Sequence, residues 1–221
     1  MVTPKLEDRH KRPVRPRKRK VVARKKAKPP TRMNPQGPVY EPEKWLVPMI
    51  LSTHNCYSYF LNLLNPAGMA GKPQPGLIST GYVETIDCPT VRKAVIDDNP
   101  RAVIAWGLEK VNDKCPKNYY KGFMAVNSNG EDYHFYRQDR DGSWSHKPGA
   151  TPPSKVDAQG KRIVNPVTAS RDYSALGGVN YDVPCSFFCI KSNPRELQLS
   201  GNFANPGANM PWRLKNNKRV Y

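Results

Sequence analysis

No run of eighteen apolar residues occurs anywhere in the 221 residues, and the charged N-terminus has no apolar core behind it. Neither a membrane-spanning helix nor a secretory signal can be read from such a chain. The five cysteines (Cys56, Cys88, Cys115, Cys185, Cys189) are odd in number and contain no C-x-x-C pair, which speaks against a disulfide framework and a four-cysteine zinc site. Free thiols in a reducing compartment are the expectation, with Cys185 and Cys189 read as small buried hydrophobes on a strand. A glycine-rich phosphate loop is missing, because Gly177-Gly178 stands alone, and there is no internal repeat. No cofactor motif and no metal-ligand pair is recognised.

Acidic side chains are scarce: 18 Asp and Glu face 36 Lys and Arg, a net charge of +18. The excess is unevenly placed. Residues 1–39 hold fourteen basic side chains against Glu7 and Asp8, a net of +12, and the remainder carries +6. Between Lys11 and Pro38 the basic runs alternate with six prolines, a composition with neither the apolar period of a core nor the backbone freedom of a helix. The reading is an extended basic arm over 1–39 and one domain over 40–221. Arg12, Arg15, Arg17, Lys18, Arg19, Lys20, Arg24, Lys25, Lys26 and Lys28 are its candidate polyanion contacts. Such contacts act by counterion release, so nucleic acid is the first partner they suggest. A solvated tail or nuclear-type targeting run has the same composition.

From Tyr40 the composition changes, with Tyr40, Trp45, Leu46, Val47, Met49, Ile50 and Leu51 forming the first dense apolar cluster. Apolar residues at 57, 60, 61 and 64 have helical spacing, and Asn65-Pro66 ends the run. Residues 72–81 read as a loop and 89–98 as a short helix stopped by Asn99-Pro100; 101–111 is a second helix or a buried strand. From Tyr119 the period becomes alternating: 120–127, 132–138 and 143–147 read as three strands joined by Ser128-Asn129-Gly130 and Asp141-Gly142, a β-meander. A long polar surface loop over 148–170 and a last strand over 182–191 complete an α+β domain.

One constellation could carry chemistry. Cys56 stands at a helix start, where the helix dipole favours thiolate. His134 alternates with aromatics in Tyr133-His134-Phe135-Tyr136, and His146 follows on the next strand. A nucleophile, a base and an orienting group in that order suit thiol catalysis.

This arrangement resembles the papain-like fold in its bacterial cell-wall hydrolase (NlpC-type) form, over roughly Trp45 to Gly149. More narrowly, Asn55-Cys56-Tyr57-Ser58-Tyr59, Tyr133-His134-Phe135-Tyr136-Arg137-Gln138 and Trp144-Ser145-His146-Lys147-Pro148-Gly149 are similar to a set of proteins found in bacteria and large DNA viruses. The resemblance implies Cys56 as nucleophile, His134 as base and His146 as third residue. The family's usual Asp before the cysteine is Asn55 here.

Two functions follow as expectations. The first is a virion structural protein of a large DNA virus, a minor capsid or core-associated subunit assembled in the host cytoplasm, whose arm contacts other virion proteins or nucleic acid in a larger assembly. The second is a cysteine peptidase or amidase with a Cys-His-His site in the nucleus or cytoplasm.

Overall fold

The computed structural model describes residues 34–64 and 72–199. They form an α+β domain around one antiparallel five-stranded sheet. Its strands are β1 (Val103–Trp106), β2 (Tyr119–Val126), β3 (Tyr133–Gln138), β4 (Trp144–His146) and β5 (Val183–Lys191), in the order β1-β5-β2-β3-β4. The β2-β3-β4 meander is the one the alternating pattern predicts. Residues 101–111 resolve into β1 followed by a 3-10 turn at Leu108–Asn112. Among the described residues no helix is long and apolar enough to cross a membrane.

Three short helices cover one face: α1 (Pro48–Thr53), α2 (Cys56–Phe60) and α3 (Cys88–Asp98). Tyr57, Phe60 and Leu61, with Val91 and Val95 of α3, pack on Tyr120, Met124, Val126, Tyr133, Phe135, Phe188 and Ile190 of the sheet. A helix of α2's length has no stability of its own, so its position comes from these contacts. Phe60 lies 4.7 Å from Phe135 and 5.4 Å from Phe188 between ring centroids. Gly122 makes room for it, since a Cβ there would overlap the Phe60 ring and come within 2.8 Å of Ile190 Cδ1. The Tyr120 hydroxyl fastens the helix end by donating to Phe60 O at 2.7 Å.

The opposite face carries Phe123, Ala125, Tyr136, Trp144 and Phe187. Its cover runs from the segment expected to be a surface loop, 148–170, on through Tyr181. Ile163 and Tyr181 are buried on it, and Val167, Ala169, Tyr173 and Val179 pack around them. Bridges His146↔Ser154, Val156↔Arg162 and Asp172↔Asn180 brace the segment. Polar composition hides this role because only one residue in several turns inward.

The cysteine expectation is corrected here. Cys88 is bonded to Cys185 and Cys115 to Cys189, with Cα–Cα separations of 5.2 and 5.5 Å, and Cys56 alone is free. In a regular strand Cys185 and Cys189 would share a face. The β2–β5 register shifts between Met124 and Ala125, which pair with Ser186 and Pro184 and leave Cys185 as the extra residue of a bulge. Val183 and Cys185 therefore pack with the helical layer, while Phe187 keeps the other face. Cys185 meets Cys88 at the start of α3, and Cys189 meets Cys115 on the loop before β2. The partners lie 97 and 74 residues away in sequence, so no local motif announces them.

The domain also begins before Tyr40. Asn34 N–H donates to Arg140 O at 3.0 Å, Arg140 N–H to Pro38 O at 2.8 Å, and Ser192 Oγ to Gln36 O at 2.7 Å. Gly37 runs so close to the 138–140 backbone that a Cβ would sit 2.9 Å from Arg140 N.

The two cross-links close long loops, and each such bond contributes roughly 2–5 kcal/mol in small domains. The double substitution Cys88→Ala/Cys185→Ala is expected to lower unfolding free energy by about that amount, read as a drop in urea midpoint with Cys115–Cys189 intact.

Candidate functional site

Cys56 opens α2 directly after Asn55, whose extended backbone (φ −119°, ψ −164°) makes it the N-cap. Asn55 Oδ1 accepts from the N–H groups of Tyr57 (3.1 Å) and Ser58 (3.2 Å), and Ser58 Oγ accepts from Asn55 N–H at 2.9 Å, a reciprocal capping box. Asn55 Nδ2 donates to Pro73 O at 2.7 Å. An aspartate could cap the helix but would turn a carboxylate oxygen toward that carbonyl, which gives the amide at position 55 a local reason.

The thiol is buried and takes its hydrogen bond from the backbone of Phe135. His146 turns its own N–H and C=O outward to Ser154, at 2.9 and 2.8 Å, so the β3–β4 ladder ends at the Tyr136–His146 pair. Cys56 occupies the place beside Phe135 that a longer β4 would have filled. The expectation of thiolate is corrected: burial, with the Asp132 carboxylate adding to it, pushes the thiol up to about 12 against the Phe135 backbone and Lys147. The Tyr57 backbone also opposes the rise, too weakly to offset burial, and its N–H is shared with Asn55 Oδ1.

His134 and His146 are brought together, with His134 Nε2 2.8 Å from His146 Nδ1 and His146 Nε2 2.9 Å from Val156 O. A carbonyl only accepts, so His146 carries its proton on Nε2 and presents a bare Nδ1. His134 must then donate from Nε2, and its own Nδ1 is left with the lone pair. Burial holds both rings neutral: His134 well below its ordinary value, with His146 adding to the effect, and His146 down to about 4 against the Val156 carbonyl and Asp157. Tyr181 stacks on His134 at 5.1 Å and Tyr136 on His146 at 5.0 Å. The Tyr181 hydroxyl donates to Asp132 Oδ2 at 2.7 Å, and burial pushes that carboxyl up to about 6.

Of the three predicted residues, the two histidines are brought together, while Cys56 packs with Phe135 in the helical-layer cluster and His134 packs against Tyr136 and Tyr181 on the opposite face. Cys56 sits against the amide of Phe135, which follows His134, and His146 is bonded to His134. The hydrogen bonds join imidazole to imidazole and thiol to backbone.

Sequence reasoning missed Lys147. Its ammonium donates to Leu51 O (3.2 Å), His54 O (2.7 Å) and Gly149 O (2.7 Å), tying the α1–α2 junction to the end of β4, and burial pushes it down to about 8. A lysine directly after a strand histidine is a weak signal, because most such lysines face solvent. His54 is buried with its Nδ1 2.9 Å from Thr53 Oγ1. The ten basic arm residues, Arg12 to Lys28, lie outside the described residues. The root of the arm, Asn34–Val39, docks beyond the far end of β3, away from Cys56 and His134.

No family model and no solved structure matches the chain. Over 134 residues it is 34% identical to insoluble matrix shell protein 1 of Ruditapes philippinarum, an alignment spanning 60% of this chain and 80% of that protein. The chain belongs to the insoluble matrix shell protein 1 family. The 134 aligned residues of a 221-residue chain amount to a domain's worth of sequence, so the relationship is one of fold rather than of a short motif.

The buried groups set opposed pH slopes. Below pH 6.5 the unfolded histidines take up protons that the folded pair refuses, so stability falls with acidification, by roughly 3 kcal/mol for His146 between pH 6.5 and 4. Asp132 acts in the other sense from about pH 6 down to 3.8, where the folded carboxyl holds a proton the unfolded one has released. Asp132→Asn removes the compensation. Its urea midpoint is expected to fall more steeply than wild type between pH 6 and 4, and that of His146→Asn less steeply.

Proposed function

We propose that this chain is a non-catalytic structural subunit of an insoluble protein assembly, a cross-linked block whose basic arm reaches neighbouring subunits or polyanions. One observation carries the reading: four cysteines are committed to bonds that staple α3 and the loop before β2 to β5, while the remaining thiol is buried and held toward its protonated form. Disulfides belong to oxidising compartments, so the setting proposed is extracellular rather than the reducing one expected from the sequence. The relative's name, insoluble matrix shell protein 1, points the same way. A minor capsid protein of a large DNA virus asks the same of the chain, with virion subunits and packaged nucleic acid as neighbours. The two settings separate on whether the native protein fractionates with a secreted matrix or with particles.

On this proposal the core is a papain-like, NlpC-type scaffold that has kept its cysteine, histidine, histidine order without working chemistry. A second reading, cysteine peptidase or amidase, is favoured by the Val156–His146–His134 chain, which leaves the lone pair on His134 Nδ1. It requires a thiol that ionises near neutral pH, and burial opposes that.

Three measurements decide. The full chain is expected to bind heparin or DNA with affinity that drops about a thousandfold or more between roughly 50 and 200 mM salt, and removal of residues 1–33 to abolish this; a flat salt response removes the polyanion role. Cys56→Ala is expected to assemble as wild type does. If wild type hydrolyses peptide or amide substrates and Cys56→Ala does not, the enzyme reading replaces the structural one.

A further inference from the structure

The segment Pro73–Gly81 runs from the N-cap of α2 to the end of α3. One end is fixed beside Cys56 by the Asn55 Nδ2 to Pro73 O bond of 2.7 Å, and Pro73, Pro75 and Gly76 are buried. The other end converges on Asp98, the last residue of α3, which is 2% exposed. Its carboxylate accepts from Gly76 N–H at 2.8 Å, Ile78 N–H at 3.2 Å, Ser79 N–H at 3.0 Å and Ser79 Oγ at 2.9 Å. The Tyr57 hydroxyl, on the residue after Cys56, faces the same carboxylate at 3.5 Å.

The other backbone bonds of Leu77, Thr80 and Gly81 run to Gln74 and Gly76, inside the segment itself. Among the described residues one side chain therefore accepts most of the hydrogen bonds that the segment makes to the rest of the fold, and it also faces the helix that carries the free thiol. Segments held by few, clustered contacts open at a fraction of the global unfolding free energy.

We propose that Pro73–Gly81 is a latch that keeps the Cys56 thiol shut away, and that Asp98 is its catch. Loss of the Asp98 contacts swings the segment off α2 and admits solvent and reagents to Cys56 while sheet, disulfides and α3 stay folded. The device is independent of the assembly reading, because Cys56 serves here as a reporter of access.

Iodoacetamide tests this on the full chain with both disulfides intact: the Cys56 thiolate displaces iodide, forms a thioether, and the product is counted by mass. With the latch, wild type labels at low urea with a rate nearly independent of urea. Asp98→Asn, which keeps the side chain's shape but halves its accepting atoms, raises that rate about tenfold or more at matched global stability. Ser79→Ala, which removes one contact, raises it about two- to fivefold. Labelling of wild type only along the global unfolding curve, with variants shifting solely as their global midpoints shift, overturns the latch. Should Asp98→Asn not fold, an unchanged urea-independent rate in Ser79→Ala overturns it equally.

Discussion

The bulge at Cys185 decides how the domain is held together. By inserting one residue opposite the Met124–Ala125 step, it reverses the side-chain alternation of β5 part-way along its length. Two cysteines four positions apart then serve opposite faces, one pinning α3 and the other the loop before β2. Pro184 suits the position because it has no N–H to contribute to a regular ladder. Without the bulge both thiols would crowd one face, and α3 would lose its covalent tie to the sheet.

The helical layer needs the help, because its helices are short. α2 is positioned by Phe60 over Gly122, by the Tyr120 hydroxyl and by the Asn55 capping box, and α1 is joined to β4 through the Lys147 ammonium. The same dense packing makes the end of β3 dry. A thiol, two imidazoles and a carboxyl are all held toward their neutral forms there. The electrostatics there disfavour an ion pair between cysteine and histidine.

Much of this is legible in the sequence wherever the signal is local. Tyr133-His134-Phe135-Tyr136 alternates as a strand must, Asp141-Gly142 makes the turn, and the apolar period from Tyr57 marks a helix with Cys56 at its start. The meeting of His134 and His146 is legible from their places on consecutive strands. What escapes depends on contacts between distant residues. Cys185 and Cys189 look like buried strand residues because the bulge that parts them leaves only Pro184 as a trace. Asp98 looks like an ordinary helix-end carboxylate, since its partners lie about twenty residues earlier. The polar stretch after Pro148 reads as surface because its buried residues, Pro153, Ile163 and Pro166, are widely spaced and follow neither a helix nor a strand period.

The docking of the arm's root has a mechanical side. Asn34 to Val39 is laced to Arg140, to Ser192 and to Arg137, and the Arg137 guanidinium also bonds Tyr59 O, Asn62 and Asp139 from a fully buried position over the Tyr59 ring. A pull on the arm would load these bonds side by side and pass into β3, an interior strand, before reaching any edge of the sheet. Strain delivered through the tether would be borne by the whole sheet and its two cross-links together, as a rivet head spreads load into the plate beneath it.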